Sequence, residues 1–105
     1  MRAGELREQV KLQRKSVTRD SYGGEVITWT DIATVWGKVE PLRGREFLEQ
    51  RRDGNEVTTR ITLRYRSGLE PIHRAVHRST TYDIQSVIHK ETRFRELELM
   101  CLAVG

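Results

Sequence analysis

An all-β protein is expected from this sequence: a small antiparallel β-barrel of about six strands with one long inserted loop. Three features carry that expectation. Apolar and polar side chains alternate with period two over most of the chain, which places successive residues on opposite faces of a half-buried sheet. Glycine and proline punctuate the alternating runs. A chain of 105 residues with 36% apolar and 32% charged side chains has room for one small core, so residues 1–105 read as a single domain.

The first strand runs from about Gln9 to Lys15, with Val10 and Leu12 on one face and Lys11 and Gln13 on the other. Thr18-Arg19-Asp20-Ser21-Tyr22-Gly23-Gly24 then reverses the chain, its adjacent glycines suited to positive φ. A second strand, Glu25 to Thr30, carries Val26, Ile27 and Trp29 and is interrupted at Asp31. The third, about Ala33 to Glu40, holds Val35, Trp36 and Val39 and is stopped by Pro41, which has no N–H for a ladder. The clearest alternation spans Glu56 to Arg66, with Val57, Thr59, Ile61, Leu63 and Tyr65 on one side and Thr58, Arg60, Thr62 and Arg64 on the other. Ser67-Gly68-Leu69-Glu70-Pro71 is a loop. A fifth strand, Tyr82 to His89, sends Tyr82, Ile84 and either Ser86 or a shifted Val87 inward, and a bulge near Ser86 would explain the adjacent Val87 and Ile88. The last, Arg95 to Leu102, points Leu97, Leu99 and Cys101 inward and Glu96, Glu98 and Met100 outward, with Leu102 closing the barrel end. Trp29, Trp36, Tyr65 and Tyr82 fall among apolar strand residues and are assigned to the core.

Residues 42–55 break the rhythm. Helix-compatible residues run from Arg45 to Arg52, but apolar side chains are nearly confined to Phe47 and Leu48, too few for a proper amphipathic face. The segment reads as a long excursion with space for one or two helical turns, and as the moving part of the molecule.

Nineteen Lys plus Arg against fifteen Asp plus Glu leaves +4, too little for a polybasic nucleic-acid binder. Arginines outnumber lysines fifteen to four, which leans toward ion-paired or protein-contacting surfaces. The one cysteine, Cys101, excludes an internal disulfide and fits a reducing compartment. The opening Met1-Arg2-Ala3-Gly4-Glu5-Leu6 lacks the apolar run of a signal peptide, and no stretch approaches the roughly 20 apolar residues of a membrane span, so a soluble protein made in cytoplasm is expected.

His73 and His77, four apart, would share a helix face and with His89 or Cys101 offer a zinc set. Arg74 between them and Pro71 beside them speak against it. Ordinary surface histidines are the simpler account, and no metal or other cofactor is expected. Cys101 lies between Met100 and Leu102, an apolar setting that makes a core thiol rather than a nucleophile. Asp83 and the glutamates offer no acid–base pair, since Glu96 and Glu98 alternate with leucines and read as a solvated strand face. Phosphate loop, Gly-x-Ser-x-Gly elbow and Cys-x-x-Cys pair are all missing, so no catalytic residue is assigned and no enzyme is expected. The alternative is a small basic β-barrel that binds nucleic acid through Arg60, Arg64 and Arg66 with Arg43, Arg45, Arg51 and Arg52. Glu46, Glu49 and Asp53 dilute that field, and the aromatics assigned to the core leave no stacking platform.

The order and spacing of several pieces are more specific than any piece alone. They are Met1 to Val10; Asp20-Ser21-Tyr22-Gly23-Gly24-Glu25 leading to Trp29; and Val35-Trp36-Gly37-Lys38-Val39-Glu40-Pro41-Leu42-Arg43-Gly44-Arg45-Glu46. Thr59 to Arg66, the Gly68, Pro71 and Arg74 spacing, Tyr82-Asp83-Ile84 and Arg95 to Cys101 complete the set. Almost end to end, the chain resembles the head-tail joining, or head closure (stopper and adaptor), proteins of long-tailed bacteriophages and prophages. It departs at Arg78-Ser79-Thr80-Thr81, where relatives often have a glycine-containing tight turn.

The resemblance implies a non-catalytic barrel in a ring at the virion head-tail interface, made in the bacterial host cytoplasm. Its implied partners are further copies of itself, a portal or adaptor protein, a tail completion protein, and genome DNA passing without sequence-specific contact; no membrane is involved. By the same resemblance the excursion projects toward the central channel, through Arg43, Gly44, Arg45, Glu46, Phe47, Glu49, Arg51 and Arg52. In a ring, mixed charges would fix the orientation of neighbours, and the candidates for that subunit interface are Arg43, Arg45, Glu46, Arg60, Arg64, Glu96 and Glu98.

Overall fold

The computed structural model describes residues 7–52, 54, 56–64, 68–69, 71–91 and 95–104. Tyr65, Arg66, Ser67, Glu70, Asp53, Asn55 and the opening Met1 to Leu6, which entered the expectations above, lie outside these. Six strands and one helix follow in order: β1 (Glu8–Arg19), β2 (Glu25–Pro41), α1 (Gly44–Arg52), β3 (Thr59–Arg64), β4 (Arg74–His77), β5 (Thr80–Glu91) and β6 (Arg95–Ala103). The sheet closes on itself in the order β1-β2-β3-β6-β5-β4, every neighbouring pair antiparallel. Strand direction therefore alternates around the barrel. β1, β3 and β5 run toward one rim, and α1 with the β4–β5 turn lies at the other.

The inward phase is the expected one through β1, β3 and β6. Val10, Leu12, Ile61, Leu63, Leu97, Leu99 and Cys101 are fully buried, joined by Ala75 and Tyr82, while Leu69 and Ile72 of the β3–β4 loop fold into the same cluster. The register of β5 against β6 slips between Ile84 and Ser86, the bulge that the adjacent Val87 and Ile88 require.

Several expectations are corrected. The two strands expected on either side of Asp31 are one, β2: Leu12 pairs with Ala33 and Gln13 with Asp31, so Ile32 is the extra residue of a bulge, which bends the ladder without ending it. β4 has no counterpart among the expected strands, because four residues with one inward side chain, Ala75, give too short a pattern to read. Its turn into β5 is made by Arg78 and Ser79, with Arg78 at φ 57°, so the glycine-like geometry is present without glycine. In the β1–β2 turn only Gly23 takes positive φ; Gly24 is confined instead by Asp20, whose carboxylate accepts the Tyr22 and Gly24 N–H groups.

The tryptophans are not core residues. Trp36 is 55% exposed, and Trp29 lies on the outer surface with the Arg74 guanidinium 3.8 Å from its ring centroid. Val57 leaves the inward phase before β3 begins and joins Leu42 and Met100 in a second, exterior cluster. Leu102 falls on the outward phase of β6, beside Phe47 and Val57. Glu96 and Glu98, expected to be solvated, are 9% and 6% exposed.

Candidate functional site

The exterior of β2, β3, β6 and β5 forms a shallow charged cup that reaches α1. Cross-strand pairing of Lys38 with Thr62, Arg60 with Met100, Thr62 with Glu98 and Arg64 with Glu96 sets its outward side chains in rows. Lys38, Glu40, Arg60, Lys90, Glu96 and Glu98 line it. Arg60 is the hub. Its Nε lies 3.8 Å from Glu40 and 3.7 Å from Glu98, and its two terminal nitrogens donate to the two carboxylate oxygens of Glu46 on α1. Lys90 lies 2.6 Å from Glu98 and Lys38 3.6 Å from Glu40. Glu98 is tolerated at low exposure because two cations face it.

α1 is held from outside the barrel. Gly44 enters it at φ 57°, and Gly54, at φ 81°, donates to the Arg51 carbonyl just beyond its end. Glu46 in the first turn and Arg51 and Arg52 in the last complement the helix dipole. No residue of the helix is buried. Phe47, half-buried, rests on Leu42, Val57 and Met100, and the Arg51 guanidinium covers its ring at 5.9 Å from the centroid. Glu46 and Phe47 thus both attach the helix to the barrel. Arg43, Arg45, Glu49, Arg52 and Leu48 are exposed, Leu48 at 60%.

The structure thus gathers Glu46, Arg60 and Glu98 into one network and sets Arg64 beside Glu96, while Arg43 and Arg45 stand apart from it. Lys38, Glu40 and Lys90, which complete the network, had a legible signal: they hold outward positions on β2 and β5. His73 and His77 make local contacts. His77 Nε2 lies 2.8 Å from Glu8, and His73 Nδ1 accepts the Lys15 N–H. The His77 hydrogen bond holds the Glu8 carboxyl below its ordinary range. Among the described residues no group of three or more His, Cys, Asp and Glu is arranged to hold a metal ion, and no helix is long and apolar enough to cross a membrane. Burial, then the nearby Asp83 charge, pushes the Cys101 thiol up to about 12.

Residues 1–104 match the family model described as phage head completion protein. Head completion protein gp7 of Enterobacteria phage HK97 is 33% identical over 69 residues, which make up 66% of this chain and 62% of gp7; the matched chain thus spans about three fifths of that relative's length. The solution structure of protein SF1141 from Shigella flexneri 2a shares the fold with a TM-score of 0.69 at 27% identity, over 97% of this chain and 96% of that one.

Proposed function

The chain belongs to the phage head completion protein family, and from that premise we propose that it is a structural virion protein, one copy of a ring that joins the DNA-filled head to the tail and helps close the channel after packaging. Portal or adaptor on one side, tail completion protein on the other, and further copies at its flanks are its partners, with DNA threading the lumen without sequence-specific contact. The ring sits at the head-tail interface and its subunits are made in the host cytoplasm.

The observation that carries the gate is the way α1 is held. A helix with no buried residue, tied by Glu46 to Arg60 and by Phe47 to an exterior cluster, can leave the barrel without opening the main core. In this reading Arg43, Gly44, Arg45, Glu46, Phe47, Glu49, Arg51 and Arg52 form the channel-facing segment. Exposed Arg43 and Arg45, together with Arg64 and Glu96 on the outer sheet face and the Arg60 network, contribute to contacts between copies. A nucleic-acid-binding module is the weaker reading, because Arg60 is engaged by three carboxylates and one face of Trp29 is occupied by Arg74.

Replacing Gly44–Arg52 by a short flexible linker tests the gate. Heads that receive this variant are expected to carry it and to leak DNA after packaging. Normal retention of DNA by such heads would reject the gate role.

A further inference from the structure

The β1–β2 hairpin outgrows the barrel. β4 pairs with β1 only from Lys11 to Gln13, and β3 pairs with β2 only from Gly37 to Pro41. Past Lys15, whose N–H reaches His73, the two strands continue alone from Ser16 opposite Thr28 to Arg19 opposite Glu25. A lone two-stranded ribbon is marginal in water. This one also presents apolar side chains to solvent. Val17 and Ile27 are register partners at 51% and 49% exposure, Val26 is 42% exposed, and Tyr22 at the tip is 96% exposed. Among the described residues no strand lies along the outer edge of β2 from Glu25 to Val35.

A second open edge exists. β4 accompanies β5 only to Asp83, and the Ile84 N–H closes that contact on the His73 carbonyl. Among the described residues, Gln85 to Glu91 have β6 on one side and no strand on the other. Ile88 there is 43% exposed. Open edges with exposed β-branched residues are templates for pairing with another chain.

From these two edges we infer that the β1–β2 arm of one copy adds, through β2, to the β5 edge of the next copy, so that a second copy of this chain is the occupant of each. The inference rests on the ring reading above. Three observations support this occupant. β2 and β5 lie three strands apart in the six-stranded order, half a barrel from one another, as a head-to-tail ring requires of its two unlike contact surfaces. The strands run in opposite directions, so rotating one copy onto the next about an axis parallel to the barrels brings β2 and β5 together antiparallel. Their exposed side chains also match in kind: Val26 and Ile27 on β2 and Ile88 on β5 are β-branched residues left in solvent.

The test is chemical cross-linking on assembled heads carrying the doubly substituted chain Ile27→Cys with Ile88→Cys, using a short bis-maleimide and leaving the buried Cys101 in place. The expected result is a ladder of dimers, trimers and larger multiples that neither single substitution produces. Heads that carry the double variant in several copies yet give no ladder would overturn the arm-to-edge contact and leave the connector reading standing. Links from position 27 to a different virion protein would overturn it too, by assigning the arm to that protein. Heads with no copies of unsubstituted chain would strike the connector reading and this contact with it. As a second measurement, Ile27→Lys should keep the thermal transition of the isolated chain but lower its attachment to heads about 10-fold or more, the factor that 1.4 kcal/mol gives. Undiminished attachment would count against the contact.

Discussion

Arg60 on β3 grips Glu46 on α1 through both carboxylate oxygens, fourteen residues apart in sequence. The same guanidinium faces Glu40 and Glu98, so the residue that docks the helix also compensates a carboxylate of low exposure on β6. The two consequences can be separated by substitution.

Glu46→Gln should loosen α1 and little else. Pairs of this exposure are worth about 0–1 kcal/mol, so global stability should fall by less than about 1 kcal/mol. Amide exchange of Phe47 to Arg52 should accelerate while β3 and β6 keep their protection. Arg60→Met removes more, because Glu98 loses one of the two cations that face it and keeps Lys90; a loss of about 1–3 kcal/mol is expected in denaturant unfolding. Equal losses from both variants would refute this division.

Phe47→Ala should loosen the helix at a second attachment. The ring is half-buried on Leu42, Val57 and Met100, so truncation should cost about 1–2 kcal/mol, below the range for a fully buried aromatic. Limited proteolysis should then cut after Arg51 or Arg52 and leave an intact barrel. Resistance equal to the parent chain would show that Phe47 does not hold the helix.

Much of the barrel is legible in the sequence because Val10, Leu12, Ile61, Leu63, Leu97, Leu99 and Cys101 obey a strict period of two. The exceptions have physical causes. Asp31 looks like a break because a bulge and a strand end share the same local chemistry, and only pairing with β1 distinguishes them. Trp29 and Trp36 look like core because they are apolar, yet Trp36 falls on the outward phase of β2 between Val35 and Gly37, and Trp29 pairs with Lys15 where the arm begins. Glu96 and Glu98 alternate correctly, yet their burial depends on Arg60 and Lys90 arriving from other strands. For the charged cup, Arg60, Glu46 and Glu98 were within reach of sequence reasoning as residue types, but their convergence on one guanidinium is a property of the register.

The Cys101 thiol should resist alkylation in the folded chain at pH 8 and react on unfolding, since burial pushes it up to about 12. Its folded value lies above the ordinary thiol value of 9.0, so the stability it contributes is complete below about pH 9 and declines as pH rises from there toward 12. Cys101→Ala should flatten that alkaline decline in chemical unfolding curves. An unchanged slope would exclude the thiol as its source.

Arg78→Gly should stabilise the chain by about 0.5–1 kcal/mol, because a non-glycine residue at φ 57° carries the left-handed penalty. The Arg78 contact to Glu8 at 3.7 Å is 79% exposed on the arginine side and offsets little of this gain. A lower melting temperature for the variant would show that the contact outweighs the turn.

In the ring proposed above, this barrel closes the head with α1 toward the lumen. Electron cryomicroscopy of the portal vertex of tail-less heads, made with and without the chain, tests it most directly. A ring of barrel-sized subunits is expected only when the chain is present, with the density of α1 innermost. A vertex identical in both preparations, or a ring whose helices face outward, would contradict it.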